Sequence, residues 1–147
     1  MKEIAIGCDP NAAEMKNHIM EACRKWGYEI VDMGSDDPIY ANTAFRVSEY
    51  VAQRPQTRGI LVCGTGMGMC IAANKVRGAY AALLTDAYSA ERAQKSNAAN
   101  IACLGAFTIG IKNAEALIEI WLNAEFDPGS PSAKKVQRIV EYEEGHS

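Results

Sequence analysis

The stretch Gly59-Ile60-Leu61-Val62-Cys63-Gly64-Thr65-Gly66-Met67-Gly68 decides the reading of this chain. An apolar run of strand length ends in three glycines at alternate positions, and Met67 to Lys75 then reads as a helix. A buried strand feeding a glycine-rich turn and a helix is the repeating unit of a parallel sheet covered by helices on both faces. Working outward, the unit recurs. Ile4 to Cys8 reads as a strand, followed by an amphipathic helix from Ala12 to Trp26 that Gly27 stops. Glu29 to Met33, Ala79 to Thr85 and Ile101 to Leu104 read as further strands, with helices over Ala41 to Ala52 and Tyr88 to Lys95. Ala114 to Asn123 and Ser132 to Glu143 are terminal helices, divided by Asp127-Pro128-Gly129-Ser130-Pro131, which no continuous helix accommodates. The expectation is an α/β protein with five parallel strands.

Residues 1–147 fit one domain, with no repeat, low-complexity tract or interdomain linker. Hydrophobic residues make up 48 % and charged residues 22 %, the balance of a chain that buries a sizeable core. A net charge of −3 repels polyanions, so no nucleic-acid partner is expected. Met1 to Gly7 is too short an apolar start for a signal or a spanning helix, which predicts a cytoplasmic protein with no membrane association. The five cysteines (Cys8, Cys23, Cys63, Cys70, Cys103) form an odd set without a CxxC pair, so neither a disulfide framework nor a metal site is expected.

In open parallel sheets, ligands collect beyond the carboxyl ends of the strands. Two such ends are polar: Gly7-Cys8-Asp9 after the first strand and Cys63 to Gly68 after the third. The alternate glycines let successive amides turn toward an anion, which makes the loop an oxyanion or phosphate cradle. It is not a dinucleotide fingerprint, which follows the first strand as GxGxxG, nor a Walker loop, which needs Gly-Lys-Ser or Gly-Lys-Thr. No cofactor is implied. Cys63 stands beside these amides and a helix start, where positive potential favours an anionic sulfur that can act as base or nucleophile. Thiol hydrolysis fits poorly, since the only histidines are His18 in the first helix and His146 in the frayed tail. Asp9 either orients a hydroxyl and moves a proton or simply caps the next helix. Lys134, Lys135 and Arg138 form the one basic cluster suited to phosphate, while Cys23, Cys70, Cys103 and the side chains of Met15, Met20, Met67 and Met69 read as packing.

The string Cys63-Gly64-Thr65-Gly66-Met67-Gly68-Met69-Cys70-Ile71-Ala72-Ala73-Asn74-Lys75, joined to Gly7-Cys8-Asp9, closely resembles the ribose-5-phosphate isomerase B and galactose-6-phosphate isomerase family. The likeness runs over essentially the whole chain and includes Asp86 to Arg92 and Asn97 to Asn100. It implies a Rossmann-like three-layer α/β/α sandwich, a homodimer or homotetramer with each active site shared by two subunits, and no metal. On this resemblance Cys63 is the enediol base, Thr65 a proton-handling hydroxyl, and the amides of Gly64, Thr65, Gly66, Met67 and Gly68 the enediolate cradle. Cys8 would line the substrate cleft, while Asp9, Tyr40 and Asn97 or Asn100 would contact sugar hydroxyls. The helix over 132–143 is expected to pack on a partner subunit.

The departures bear on the substrate. Pro10 and Ser96 stand where the family's pentose isomerases carry histidines, the second of which opens the sugar ring, and Phe107 replaces a phosphate-binding arginine. A four-carbon sugar phosphorylated at C4 has no hydroxyl left to close a furanose and needs no ring opener. Tyr40-Ala41-Asn42, Tyr88 to Ala93 and Phe126-Asp127-Pro128 are similar to the branch that interconverts D-erythrulose 4-phosphate and D-erythrose 4-phosphate. The expected function is therefore aldose–ketose isomerisation of that tetrose phosphate. The alternatives are isomerisation of ribose 5-phosphate to ribulose 5-phosphate and a non-catalytic role in a hetero-oligomeric isomerase.

Overall fold

A computed structural model describes residues 2–145, so His146 lies outside the described residues. The chain runs β1 (Glu3–Cys8), a 3-10 turn (Pro10–Ala12), α1 (Ala13–Lys25), β2 (Glu29–Asp32), α2 (Tyr40–Ala52) and β3 (Arg58–Cys63). It continues through α3 (Met67–Ala73), β4 (Ala81–Leu83), α4 (Ala87–Lys95), β5 (Ile101–Gly105), α5 (Ile111–Asn123) and α6 (Ala133–Glu143). All strand pairs are parallel, in the order β2-β1-β3-β5-β4. The order reverses between β1 and β3, the kind of switch point beyond whose carboxyl strand ends ligands of open parallel sheets collect.

Strand alternation sorts the core into two layers. Ile4, Ile6, Cys8, Ile60, Val62, Ala102 and Leu104 face α1, α4 and α5, where Ile19, Ala90, Ile118 and Trp121 meet them. Ala5, Leu61, Cys63, Ile101 and Cys103 face α2 and α3, against Val47, Val51, Met69 and Ala73. The result is the expected three-layer sandwich of Rossmann-like type. Gly27, at φ +94°, ends α1 by taking the left-handed turn that a side chain would oppose.

Two boundaries differ from expectation for one reason. Asn74 donates from Nδ2 to the Ala81 carbonyl at 2.9 Å and accepts the Ala81 N–H at 2.8 Å. Its amide thus stops α3 at Ala73 and covers the outer edge of β4, the last strand in the order, which shortens both elements. At the amino end of β3, Arg58 donates to the carbonyls of Trp121, Leu122 and Ala124 at 2.8–3.1 Å and so satisfies the last turn of α5. Helix α6 lies across this amino edge, tied by Glu143, which accepts from the Tyr80 hydroxyl at 2.5 Å and the Gly78 N–H at 3.2 Å. No residue of α6 is buried. Among the described residues no helix is long and apolar enough to cross a membrane.

Candidate active site

Cys63 ends β3 on the α2–α3 face, with 5 % of its surface exposed. The Gly66 N–H donates to its Sγ at 3.1 Å, and Thr65 Oγ1 accepts the Met67 N–H at 3.3 Å. Gly66 sits at φ +80°, and a Cβ there would fall 2.6 Å from Leu83 Cδ1 and 2.9 Å from the Leu104 carbonyl carbon. Only glycine lets the loop turn this tightly against β4 and β5. Two amides of the expected cradle are thereby committed within the loop, one to the sulfur and one to the Thr65 hydroxyl. Gly64, Thr65 and Gly68 carry its other donors.

Two aromatic rings wall the loop. The Phe107 ring lies over Gly64, within 2.9–3.0 Å of where a Cβ would stand, while the Phe107 N–H donates to the Gly64 carbonyl at 2.8 Å. The Tyr40 ring and hydroxyl press on Gly68, leaving no room for a Cβ there. Tyr40 opens α2, and its approach is set by Asp37, which accepts from the Ile39 N–H at 2.9 Å and Asn42 Nδ2 at 3.1 Å. The Met67 side chain, expected to pack, is instead exposed beside this site.

Asp9 lies at the crevice because its N–H donates to the Val62 carbonyl, one residue before Cys63, at 3.1 Å. Its Oδ1 accepts the Asn11 N–H at 2.9 Å, which is the bond of the capping reading. Cys8 corrects the expectation. The β1–β3 register pairs it with Val62, which turns its side chain to the face opposite Cys63, where it is fully buried. Burial pushes its thiol up to about 11, partly offset by Lys16.

Sequence reading passed over Lys16, although a lysine within the apolar stripe Met15, Ile19, Met20 and Cys23 was a visible signal. It is 3 % exposed, and its Nζ stands 2.8 Å from Asp32 Oδ1, which also accepts the Gly34 N–H at 2.9 Å. The Gly34 carbonyl in turn accepts the Cys8 N–H at 3.1 Å. The pair thus ties α1 to the loop leaving β2, directly behind Asp9. Burial alone would raise the Asp32 carboxyl, but the hydrogen bonds from Lys16 and Gly34 outweigh it and hold it below its ordinary value. Lys16→Met is expected to cost about 1–3 kcal/mol, less than for a fully buried pair, because Asp32 is 42 % exposed and can rehydrate. Urea midpoints at unchanged m-value measure this. The pair's contribution is present above the unfolded carboxyl pKa of about 3.9 and is lost as pH falls through the lowered folded value, so the wild-type advantage should shrink in acid.

The remaining candidates lie at the opposite edge of the sheet. Asn100 is a further correction, since its Oδ1 accepts the Tyr80 N–H at 2.8 Å and its Nδ2 donates to the Gly78 carbonyl at 3.0 Å. Both bonds fix the amino ends of β4 and β5. Ser96 and Asn97 follow the last turn of α4, which runs from the carboxyl edge to the amino edge, and Ser96 Oγ lies 3.3 Å from Arg92 Nη1. Lys134, Lys135 and Arg138 belong to α6, on the same amino edge. That edge also holds a cavity of about 530 Å³, lined by Arg58, Tyr80, Asn100, Val136 and Val140 among others. Within one chain none of these groups joins the Cys63 crevice. Among the described residues no group of three or more His, Cys, Asp or Glu side chains could hold a metal ion.

A thiol held by an amide, a hydroxyl two residues on and a glycine loop at a topological switch point define an α/β protein built to handle a small anionic ligand. The chain belongs to the ribose/galactose isomerase family, whose model matches residues 4–139, and it is an enzyme of that kind. It is 45 % identical over 147 residues to the D-erythrulose-4-phosphate isomerase of Pectobacterium atrosepticum, covering 97 % of this chain and 96 % of the relative. It is 42 % identical to the ribose-5-P isomerase B of Listeria innocua over 135 residues, 90 % of this chain and 91 % of that one. The crystal structure of ribose-5-phosphate isomerase B from Mycoplasma genitalium with bound ribulose-5-phosphate superposes with a TM-score of 0.91 at 31 % identity, covering 97 % of this chain and 96 % of that chain.

Proposed function

We propose that this chain, acting as one catalytic domain over residues 1–147 in the cytoplasm, interconverts D-erythrulose 4-phosphate and D-erythrose 4-phosphate through an enediolate. The observation that carries the reading is the Cys63 sulfur, fixed by the Gly66 N–H at 3.1 Å under the glycine loop at the switch point. Cys63 removes the proton from C1 of the ketose, and the negative charge passes to the O2 oxygen. The Gly64, Thr65 and Gly68 amides, which are not committed within the loop, stabilise that oxygen, where each preorganised donor can contribute roughly 2.7–4 kcal/mol. Thr65 moves the hydroxyl proton between O1 and O2, and Cys63 returns its proton to C2 of the aldose. Asp9 and Tyr40 hold the sugar hydroxyls. The four-carbon substrate is supported by Pro10, Ser96 and Phe107 at positions where ring opening and pentose phosphate binding would call for other groups, and by the likeness to the Pectobacterium protein. Ribose 5-phosphate is the second reading, favoured by the likeness to the Listeria protein.

Proton NMR in D2O tests the reaction. The purified chain should convert D-erythrulose 4-phosphate to D-erythrose 4-phosphate carrying solvent deuterium at C2. Failure to turn over any four-, five- or six-carbon ketose phosphate would overturn the reading and favour a non-catalytic subunit.

The site is completed, in this reading, by a second copy of the chain, giving a homodimer or homotetramer. Ser96, Asn97 and the basic cluster of α6 occupy the amino edge, while Cys63 occupies the carboxyl edge. Tyr88, Met67, Ile71 and Phe107 are exposed at the carboxyl edge, and α6 exposes Ile139 and Tyr142 at the other, so both edges carry apolar surface of the kind subunits cover. Mixed oligomers give the test. Cys63→Ala and the triple variant Lys134→Ala/Lys135→Ala/Arg138→Ala should each be impaired alone, whereas refolding them together should restore activity, because one site per mixed dimer then unites two intact halves. Mixtures no more active than their parts would place each site within one chain.

A further inference from the structure

The turn that carries Asp9 is held from both of its sides, and both holds meet at one oxygen. On the strand side, the Cys8 N–H donates to the Gly34 carbonyl and the Asp9 N–H to the Val62 carbonyl, each at 3.1 Å. On the helix side, the 3-10 turn Pro10–Ala12 leads directly into α1, whose first turn places Lys16 Nζ 2.8 Å from Asp32 Oδ1. That same Oδ1 accepts the Gly34 N–H at 2.9 Å. Gly34 stands at φ +102°, an angle that side chains oppose, and the Asp32 bond sets the turn that aims its carbonyl at Cys8. One carboxylate oxygen at the end of β2 thus fixes the two segments between which Asp9 lies.

Two well-packed apolar side chains in place of Lys16 and Asp32 would join α1 to β2 about as firmly, because removing an ammonium from water costs about as much as its partner returns. What the pair adds is direction. Lys16 is 3 % exposed within the apolar stripe of α1, so its ammonium has one place to go, and the helix is held at the register that reaches Asp32. Register matters at Asp9, since displacing a substrate-positioning group by about 1 Å can cost roughly 10²-fold.

We infer that Lys16 and Asp32 are positioning residues of the isomerase site, whose pairing holds the β1–α1 turn so that the Asp9 carboxylate meets the sugar hydroxyls. Asp9 Oδ1 is committed to the Asn11 N–H, which leaves Oδ2 to receive a hydroxyl. Helix α1 packs on the face of the sheet opposite Cys63, so the pair acts through Asp9 and not on the substrate. The effect on substrate rests on the proposed contact of Asp9 with the sugar; the holding of the turn does not.

The test compares Lys16→Met with the wild-type chain by amide hydrogen exchange and by kinetics on D-erythrulose 4-phosphate, well below the melting temperature. Exchange at the Cys8 and Asp9 amides should quicken at least tenfold beyond any change at Ile60 and Leu61, buried in β3, which report unfolding of the whole chain. KM should rise about tenfold with kcat within threefold, the pattern of a lost binding contact, and the rise should vanish in an Asp9→Ala background. Ile19→Val, a core change in the same helix, should lower stability and leave KM and the relative exchange at wild type. If Lys16→Met does not fold, Asp32→Ala removes the same oxygen at a position 42 % exposed and carries the same expectations. Exchange at Cys8 and Asp9 that moves no more than at Ile60 and Leu61 would overturn the positioning, whichever sugars the chain isomerises. Quickened exchange with KM within twofold of wild type, or a rise in KM undiminished in Asp9→Ala, would overturn the route through Asp9. Asp9→Ala with wild-type KM and kcat would reject the Asp9 contact itself, while the exchange still decides whether the pair holds the turn.

Discussion

Cys63→Ala is expected to remove isomerisation while leaving substrate affinity within a few-fold of wild type. A positioned acid–base group supplies about 10²–10⁴-fold, so kcat should fall by at least that much. The loop should survive the change. Its shape is set by the left-handed turn at Gly66 against Leu83 and Leu104, and by the Phe107 N–H on the Gly64 carbonyl, not by the sulfur alone. What is lost is an interaction made with the proton in flight, which lowers kcat and kcat/KM together. Cys63→Ser keeps an acceptor for the Gly66 N–H without the acid–base chemistry of sulfur, and should be equally inactive. Rates with calorimetric affinities for both variants measure this; most of the turnover surviving in Cys63→Ala would remove the thiol from the mechanism.

The strands and the glycine loop were legible because apolar runs, alternate glycines and helical stripes are local patterns. Every element expected between Ile4 and Glu143 is present within a few residues. What remained hidden depends on register and on edges. Cys8 and Cys63 both end strands, yet the pairing of Cys8 with Val62 sends their side chains to opposite faces. Asn100 belongs to a motif that resembles a substrate-binding one, but its amide is spent on Tyr80 and Gly78, at strand starts whose unpaired groups no sequence pattern announces. The basic cluster of α6 was legible as a cluster, but its position on the amino edge follows only from the path of the chain after α5.

The second large effect is expected in substrate size. Pro10 stands next to Asp9 at the end of β1, and Ser96 caps the carboxyl end of α4. Neither can relay a proton as a histidine does. A furanose phosphate would have to open unaided, whereas a tetrulose 4-phosphate arrives open. Phe107 adds to the discrimination, because its ring covers Gly64 and offers no charge to a phosphate carried one carbon further out. Ser96→His should raise the rate on ribose 5-phosphate more than on the tetrose. Small misplacements of the longer sugar's phosphate remain costly. The decisive comparison is kcat/KM of the purified wild-type chain on D-erythrulose 4-phosphate against ribose 5-phosphate. The account predicts a ratio of at least about 100 in favour of the tetrulose, the lower end of what one positioned acid–base supplies; rates within a few-fold of each other, or a preference for ribose 5-phosphate, would contradict it.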